Sequence, residues 1–142
     1  MSSIFSRIIA GELPGCFVWK DDRAVAFLSI APMMPGHTLV VPRDEVDHWI
    51  DLDPDLAAHL FGVAQQIGRA QQLEWNPARI GVLIMGEEVP HTHLHVVPVN
   101  HPVELTFAHA DPSPDPAALS DAAERIRTRL RELGRSEVAD EL

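Results

Sequence analysis

RIGVLIMGEEVPHTHLHVV, residues 79–97, is the stretch whose reading decides the fold. Its first part, Arg79 to Met85, is an apolar run with Gly81 inside it; Gly86-Glu87-Glu88 then turns the chain into His91 to Val97, a second β-rich run. The two runs predict a β-hairpin. On a strand the period of two puts His91, His93 and His95 on one face and Thr92, Leu94 and Val96 on the other. One face then carries polar chemistry and the other faces a core.

Working outward, Cys16–Lys20 and Ala24–Leu28 read as strands joined at the polar turn Asp21-Asp22, a hairpin preceded by a short helix from Ile4 to Ala10 that Gly11 closes. Pro32, Pro35 and Gly36 punctuate a loop, after which Thr38-Leu39-Val40-Val41 forms a β-rich run that Pro42 stops, so that His37 sits at a strand's start. Asp53 followed by Pro54 is an N-cap and first-turn signature. Leu56, Leu60, Val63, Ile67 and Ala70 then recur at three- and four-residue steps, predicting a helix through about Leu73. A loop at Asp111-Pro112-Ser113-Pro114 leads to a last helix that starts at Asp115-Pro116 and carries the stripe Leu119, Ala122, Ile126 and Leu130. The tail from Gly134 is expected to fray. With helices set between hairpins, the pattern is α+β with a mostly antiparallel five-stranded sheet and two main helices.

At 142 residues the chain makes one domain, with a net charge of −10, 46% hydrophobic and 23% charged residues. That acidity argues against a general nucleic-acid or anionic-membrane binder. The most apolar long window, Ala24 to Pro42, is cut by Pro32 and Pro35, so no transmembrane helix is expected, and the first residues show no secretory signal. Cys16 is the lone cysteine, which excludes an internal disulfide framework and Cys-x-x-Cys motifs and fits a reducing, cytoplasmic setting. His48, His59, His101 and His109 are isolated and read as surface or hydrogen-bonded residues. The scattered Trp19, Trp49 and Trp75 read as core or dimer residues, and Arg125, Arg127, Arg129 and Arg131 as a solvated ion-pair face.

Three chemistries fit the histidine cluster. It can be an exposed, hydrogen-bonded set on an antiparallel strand. It can supply metal ligands, although His91 and His95 lie about 13 Å apart along a strand and cannot share one zinc, which leaves His93 with one neighbour and a third ligand. Or His93 can be a nucleophilic imidazole that flanking imidazoles orient and assist with protons or phosphate oxygens.

His91-Thr92-His93-Leu94-His95-Val96-Val97 resembles the histidine triad (HIT) signature, three histidines alternating with apolar residues, with Thr92 the one imperfect position. The segments Ile4 to Pro14, Asp21 to Arg23 with Ala26-Phe27, and Pro35 to Pro42 are similar to HIT segments in order and spacing, so the resemblance spans about residues 4 to 98 and is to the bacterial HIT-like branch, near the Hint-type nucleotide hydrolases. It implies a HIT-like fold paired into a homodimer, with residues 1–110 as the HIT domain and 111–142 as a C-terminal loop and helix packed on it. It also implies two-step transfer at the α-phosphate of a purine nucleotide conjugate, such as an AMP or GMP phosphoramidate, without a metal or other cofactor. In that scheme His93 is the nucleophile, and His91, His95 and His37 orient it, contact phosphate and handle a proton. Phe27, Ser29 and Ile30 surround base and ribose, with Ser29 standing where the family usually has an aspartate.

By the same resemblance Glu87 and Glu88 stand where the family usually has a glutamine and a serine or threonine that help bind phosphate, and carboxylates there would repel phosphate; they either point outwards, the favoured reading, or raise the histidine pKa values and favour a cationic leaving group such as an amine. Structural zinc, which some relatives hold through N-terminal cysteines and a histidine, is not expected where Ser3, Ser6 and Glu45 stand instead. The rival reading is a nucleotide-binding regulatory module with little or no catalysis.

Overall fold

A computed structural model describes residues 2–139. In chain order the elements are α1 (Ile4–Ile9), β1 (Phe17–Lys20), β2 (Ala24–Leu28), β3 (Thr38–Pro42), α2 (Pro54–Trp75), β4 (Arg79–Leu83), β5 (Leu94–Val99) and α3 (Pro116–Glu132). Short 3-10 turns occur at Trp49–Asp51, Pro102–Glu104 and Phe107–His109. The five strands form one sheet in the order β1-β2-β3-β5-β4, and every neighbouring pair is antiparallel. Both expected hairpins are present.

All five residues of β2 and of β3 are buried, because each face of the sheet is covered. Ala24, Ala26, Leu28, Val40, Leu94 and Val96 pack under α2 and α3, where the stripes Leu60, Val63, Ile67 and Ile126, Leu130 meet them. On the opposite face Phe17, Val25, Phe27, Leu39 and Val41 lie against Phe5 of α1. Alternation along the strands thus sends one set of side chains to the two long helices and the other to the short one.

The sequence expectation fails in three places, each for a long-range reason. The strand that carries the triad begins at Leu94, not His91. β4 ends at Leu83 opposite His95, β3 reaches only to Leu94, and the Thr92 amide and hydroxyl are drawn away to the carbonyl of Val46. The tail does not fray at Gly134, because the Lys20 amide donates to the Glu137 carbonyl and the Ala139 amide to the Val18 carbonyl, which covers the β1 edge. Arg127 is buried rather than solvated, its Nε donating to the Phe17 carbonyl at 2.9 Å. Arg125 and Arg129 do pair at the surface, with Glu74, Asp121 and Glu132. Of the tryptophans, Trp19 is buried, Trp75 packs on the core margin and Trp49 is exposed.

Gly36 fixes the start of β3. Its φ of +89° suits glycine, and a Cβ there would stand 2.5 Å from the Trp75 ring, so the chain crosses the end of α2 at closest approach and delivers His37 into the interior. Gln71 of α2 ties the same crossing, its amide donating at 2.9 Å to the carbonyls of both Gly36 and Val96.

Candidate active site

His93, His95 and His37 line one cavity of about 430 Å³ on the sheet face turned toward α1. His91 is fully buried and outside the lining. Its two ring nitrogens are both engaged. Nε2–H donates to the Pro42 carbonyl at 2.8 Å, which leaves Nδ1 to accept the Ser3 hydroxyl at 2.7 Å. Ser3 in turn caps α1 by accepting the Ser6 amide, and Glu45 accepts both the Ser3 amide and the Ser6 hydroxyl at 2.7 Å. Ser3, Ser6, Glu45 and His91 therefore meet, but as a closed set of hydrogen bonds without a thiolate or a spare imidazole nitrogen, which does not fit a structural zinc.

A carbonyl can only accept, so the 2.7 Å contact between His93 Nδ1 and the His91 carbonyl fixes the proton on Nδ1. In the neutral ring Nε2 is then a bare lone pair. The second tautomer is fixed by a backbone donor, the Met33 amide, which gives its hydrogen to His37 Nδ1 at 2.9 Å. His37 Nε2 must therefore carry a proton, and it donates at 2.9 Å to His95 Nδ1. His95 is left with a proton on Nε2, and that buried nitrogen has no partner among the described residues. An unmet buried donor costs about 1–3 kcal/mol, a cost an oxygen acceptor inside the cavity would remove.

Burial holds these rings neutral. Desolvation, with the neighbouring His93 second, pushes His37 down to about 4, and desolvation with His37 and His93 pushes His95 down to about 3. His93 is lowered mainly by burial, while its bond to the His91 carbonyl and the charge of Glu88 act in the other direction. Three edge-on ring contacts complete the packing: Phe5 stands 4.8 Å from His93, His93 4.9 Å from His95 and Phe107 5.2 Å from His95.

Phe27, Ser29 and Ile30 all line the cavity. Phe27 lies buried beneath Phe5, Ser29 accepts the Ala31 amide at its hydroxyl, and Ile30 is exposed at the rim. The two glutamates part company. Both are exposed, as the outward reading expects, but Glu88 stands at the edge of the cavity, where its charge acts on His93, whereas Glu87 is outside the lining. Phe5, Met33 and Phe107 join the site without having been singled out from the sequence. The isolated histidines stay apart from it, His59 bonding Asp21 at 2.8 Å.

The chain matches the HIT domain model over residues 10–101. It is 34% identical over 100 residues to the protein hit of Bacillus subtilis, an alignment covering 67% of this chain and 69% of that one. Its fold is similar to that of a Zn-bound histidine triad family protein from Mycobacterium smegmatis (TM-score 0.80, 28% identity, 94% of this chain and 96% of that one). A Hit-like protein from Bartonella henselae, described as involved in cell-cycle regulation, superposes with a TM-score of 0.79 at 28% identity, over 90% of this chain and 96% of that one. Triad loop, antiparallel sheet and aligned sequence agree, and this chain belongs to the HIT family.

Proposed function

We propose that the protein is a nucleotide phosphoramidase or nucleotide-conjugate hydrolase that forms a covalent nucleotidyl-histidine intermediate on His93. HIT membership supports nucleotide hydrolase or transferase chemistry in general. One observation carries the finer reading: His93, with a bare Nε2, and His95, with a buried and unpartnered Nε2–H, line the same cavity. A phosphorus atom attacked by the first places a non-bridging oxygen within reach of a donor of the second kind. As the Nε2–P bond forms, the bond from phosphorus to the leaving nitrogen or oxygen breaks, and the leaving atom takes up one proton from solvent. Water then adds to phosphorus, the N–P bond breaks, and the proton returns to solvent. His91 and His37 serve as positioning residues, the one through its carbonyl to His93, the other through the tautomer of His95. Phe27, Ser29 and Ile30 hold the nucleoside of an AMP- or GMP-type conjugate.

The test is rapid quenching of adenosine and guanosine 5′-phosphoramidates and a diadenosine polyphosphate with the protein in EDTA. Nucleoside monophosphate and an acid-labile nucleotidyl adduct on the protein are expected. Tight nucleotide binding with neither product nor adduct would leave the regulatory-module reading instead, and turnover that EDTA abolishes would leave a metal-dependent hydrolase.

The same reading includes a homodimer formed along β4. That strand is an edge of the sheet with no covering segment among the described residues, unlike β1, and beside it runs a groove of about 640 Å³ where exposed Phe61 and Val82 face outward. A second copy can pair its own β4 antiparallel across a two-fold axis. Sedimentation should give twice 15.7 kDa, and a monomer at micromolar concentration would exclude it. Residues 1–110 form the HIT domain in this reading, with 111–142 packed on it, as burial of Ile126 and Leu130 in the main core supports. A cytoplasmic setting rests on the lone Cys16.

A further inference from the structure

We propose that Glu88 makes the cavity favour conjugates whose leaving group carries a positive charge; this rests on the catalytic reading of His93. The groups that meet a phosphate here are uncharged: three imidazoles, of which His37 and His95 are held neutral well below pH 7, and the hydroxyl of Ser29. No lysine or arginine is among the lining residues described. The one formal charge on the lining is the Glu88 carboxylate. It is presented by the turn at Gly86, whose φ of +80° bends the chain, with Val89 beside it on the same wall. No ion pair occupies Glu88 among the described residues, and from its exposed place at the edge of the cavity its charge favours the protonated form of His93.

A cavity of this kind tolerates the one negative charge of a phosphodiester-like centre through neutral donors. Each further phosphate adds a charge that no cation balances and that Glu88 opposes. A leaving group ending in an ammonium does the reverse, because it enters the field of the carboxylate as the phosphate meets His93 and His95. At a separation of about 6 Å and an effective dielectric between that of a protein surface and water, such a pair is worth about a tenfold preference. Glu87, one residue earlier, does not share this position and serves as the natural control.

The experiment uses three adenosine 5′-phosphoramidates whose amine leaving groups have the same length and end in an ammonium, a hydroxyl or a carboxylate. Their kcat/KM values are compared for wild type, Glu88→Gln and Glu87→Gln. Wild type and Glu87→Gln should favour the ammonium over the hydroxyl by about tenfold and disfavour the carboxylate, while Glu88→Gln should bring all three within about twofold. Equal turnover of the three by wild type, or a preference that survives in Glu88→Gln, overturns this inference and leaves the catalytic reading standing. No turnover of any of them overturns the catalytic reading and this inference with it.

Discussion

His93→Ala is expected to lower turnover of a nucleoside phosphoramidate by about 10⁴-fold or more and to eliminate the trapped adduct, because no other ring nitrogen in the cavity can take its place. The bare Nε2 of His93 exists because its Nδ1 proton is committed to the His91 carbonyl at 2.7 Å. His91 has both nitrogens occupied, by the Ser3 hydroxyl and the Pro42 carbonyl, and lies outside the cavity. His95 shows the cavity a nitrogen that already bears hydrogen, a tautomer imposed from the Met33 amide through His37. The variant should fold. It loses one hydrogen bond and the edge contacts with Phe5 at 4.8 Å and His95 at 4.9 Å, together a few kcal/mol, and it leaves the His91 carbonyl without its partner. Steady-state assay in EDTA beside a thermal melt reads both quantities, and a His93→Ala protein with wild-type kcat would end the covalent mechanism.

The kinds of residue in this site were legible in the sequence, and their arrangement was not. Helix α2 could be read from Asp53-Pro54 and the spacing of Leu56, Leu60, Val63 and Ile67, since a periodic stripe and its cap are local properties. The triad has the alternation of a strand and is a strand only from Leu94, because whether a ladder continues depends on a partner, and here Val46 captures Thr92 first. The tautomers that separate nucleophile from donor are set by contacts that residue types do not display: the backbone carbonyl of His91 for His93, and for His95 the Nε2–H of His37, 58 residues away along the chain, itself fixed by the Met33 amide. Glu87 and Glu88 are chemically identical neighbours, so only the turn at Gly86 decides which one stands at the edge of the cavity. Arg127 has the sequence setting of a solvated run, and only the Phe17 carbonyl, 110 residues away, draws it into the interior.

Folding stability should fall steeply as pH drops from about 6.5 toward 4, a loss that begins about two units above the range in which ordinary carboxylates titrate. An unfolded histidine takes up its proton near 6.5, whereas in the folded protein His37 resists until about 4 and His95 until about 3. In that window the unfolded chain binds more protons, so acid favours unfolding, and each of the two rings contributes up to about 1.4 kcal/mol per pH unit. His91 and His93, also lowered chiefly by burial, act in the same direction. The sign is that of a depressed base: the neutral form fits the fold, and its stability is fully present above 6.5 and is lost as pH falls toward the folded values. Two units of acidification from pH 6.5 therefore remove several kcal/mol, a large part of the 5–15 kcal/mol typical of a domain. Urea midpoints between pH 7.5 and 4.5 measure this. A nearly flat profile down to pH 5 would show that His37 and His95 charge freely in place, which is incompatible with the Met33–His37–His95 chain, since a protonated His37 could no longer accept the Met33 amide. His37→Asn, which keeps a polar side chain but cannot titrate, should flatten the profile in proportion to its share.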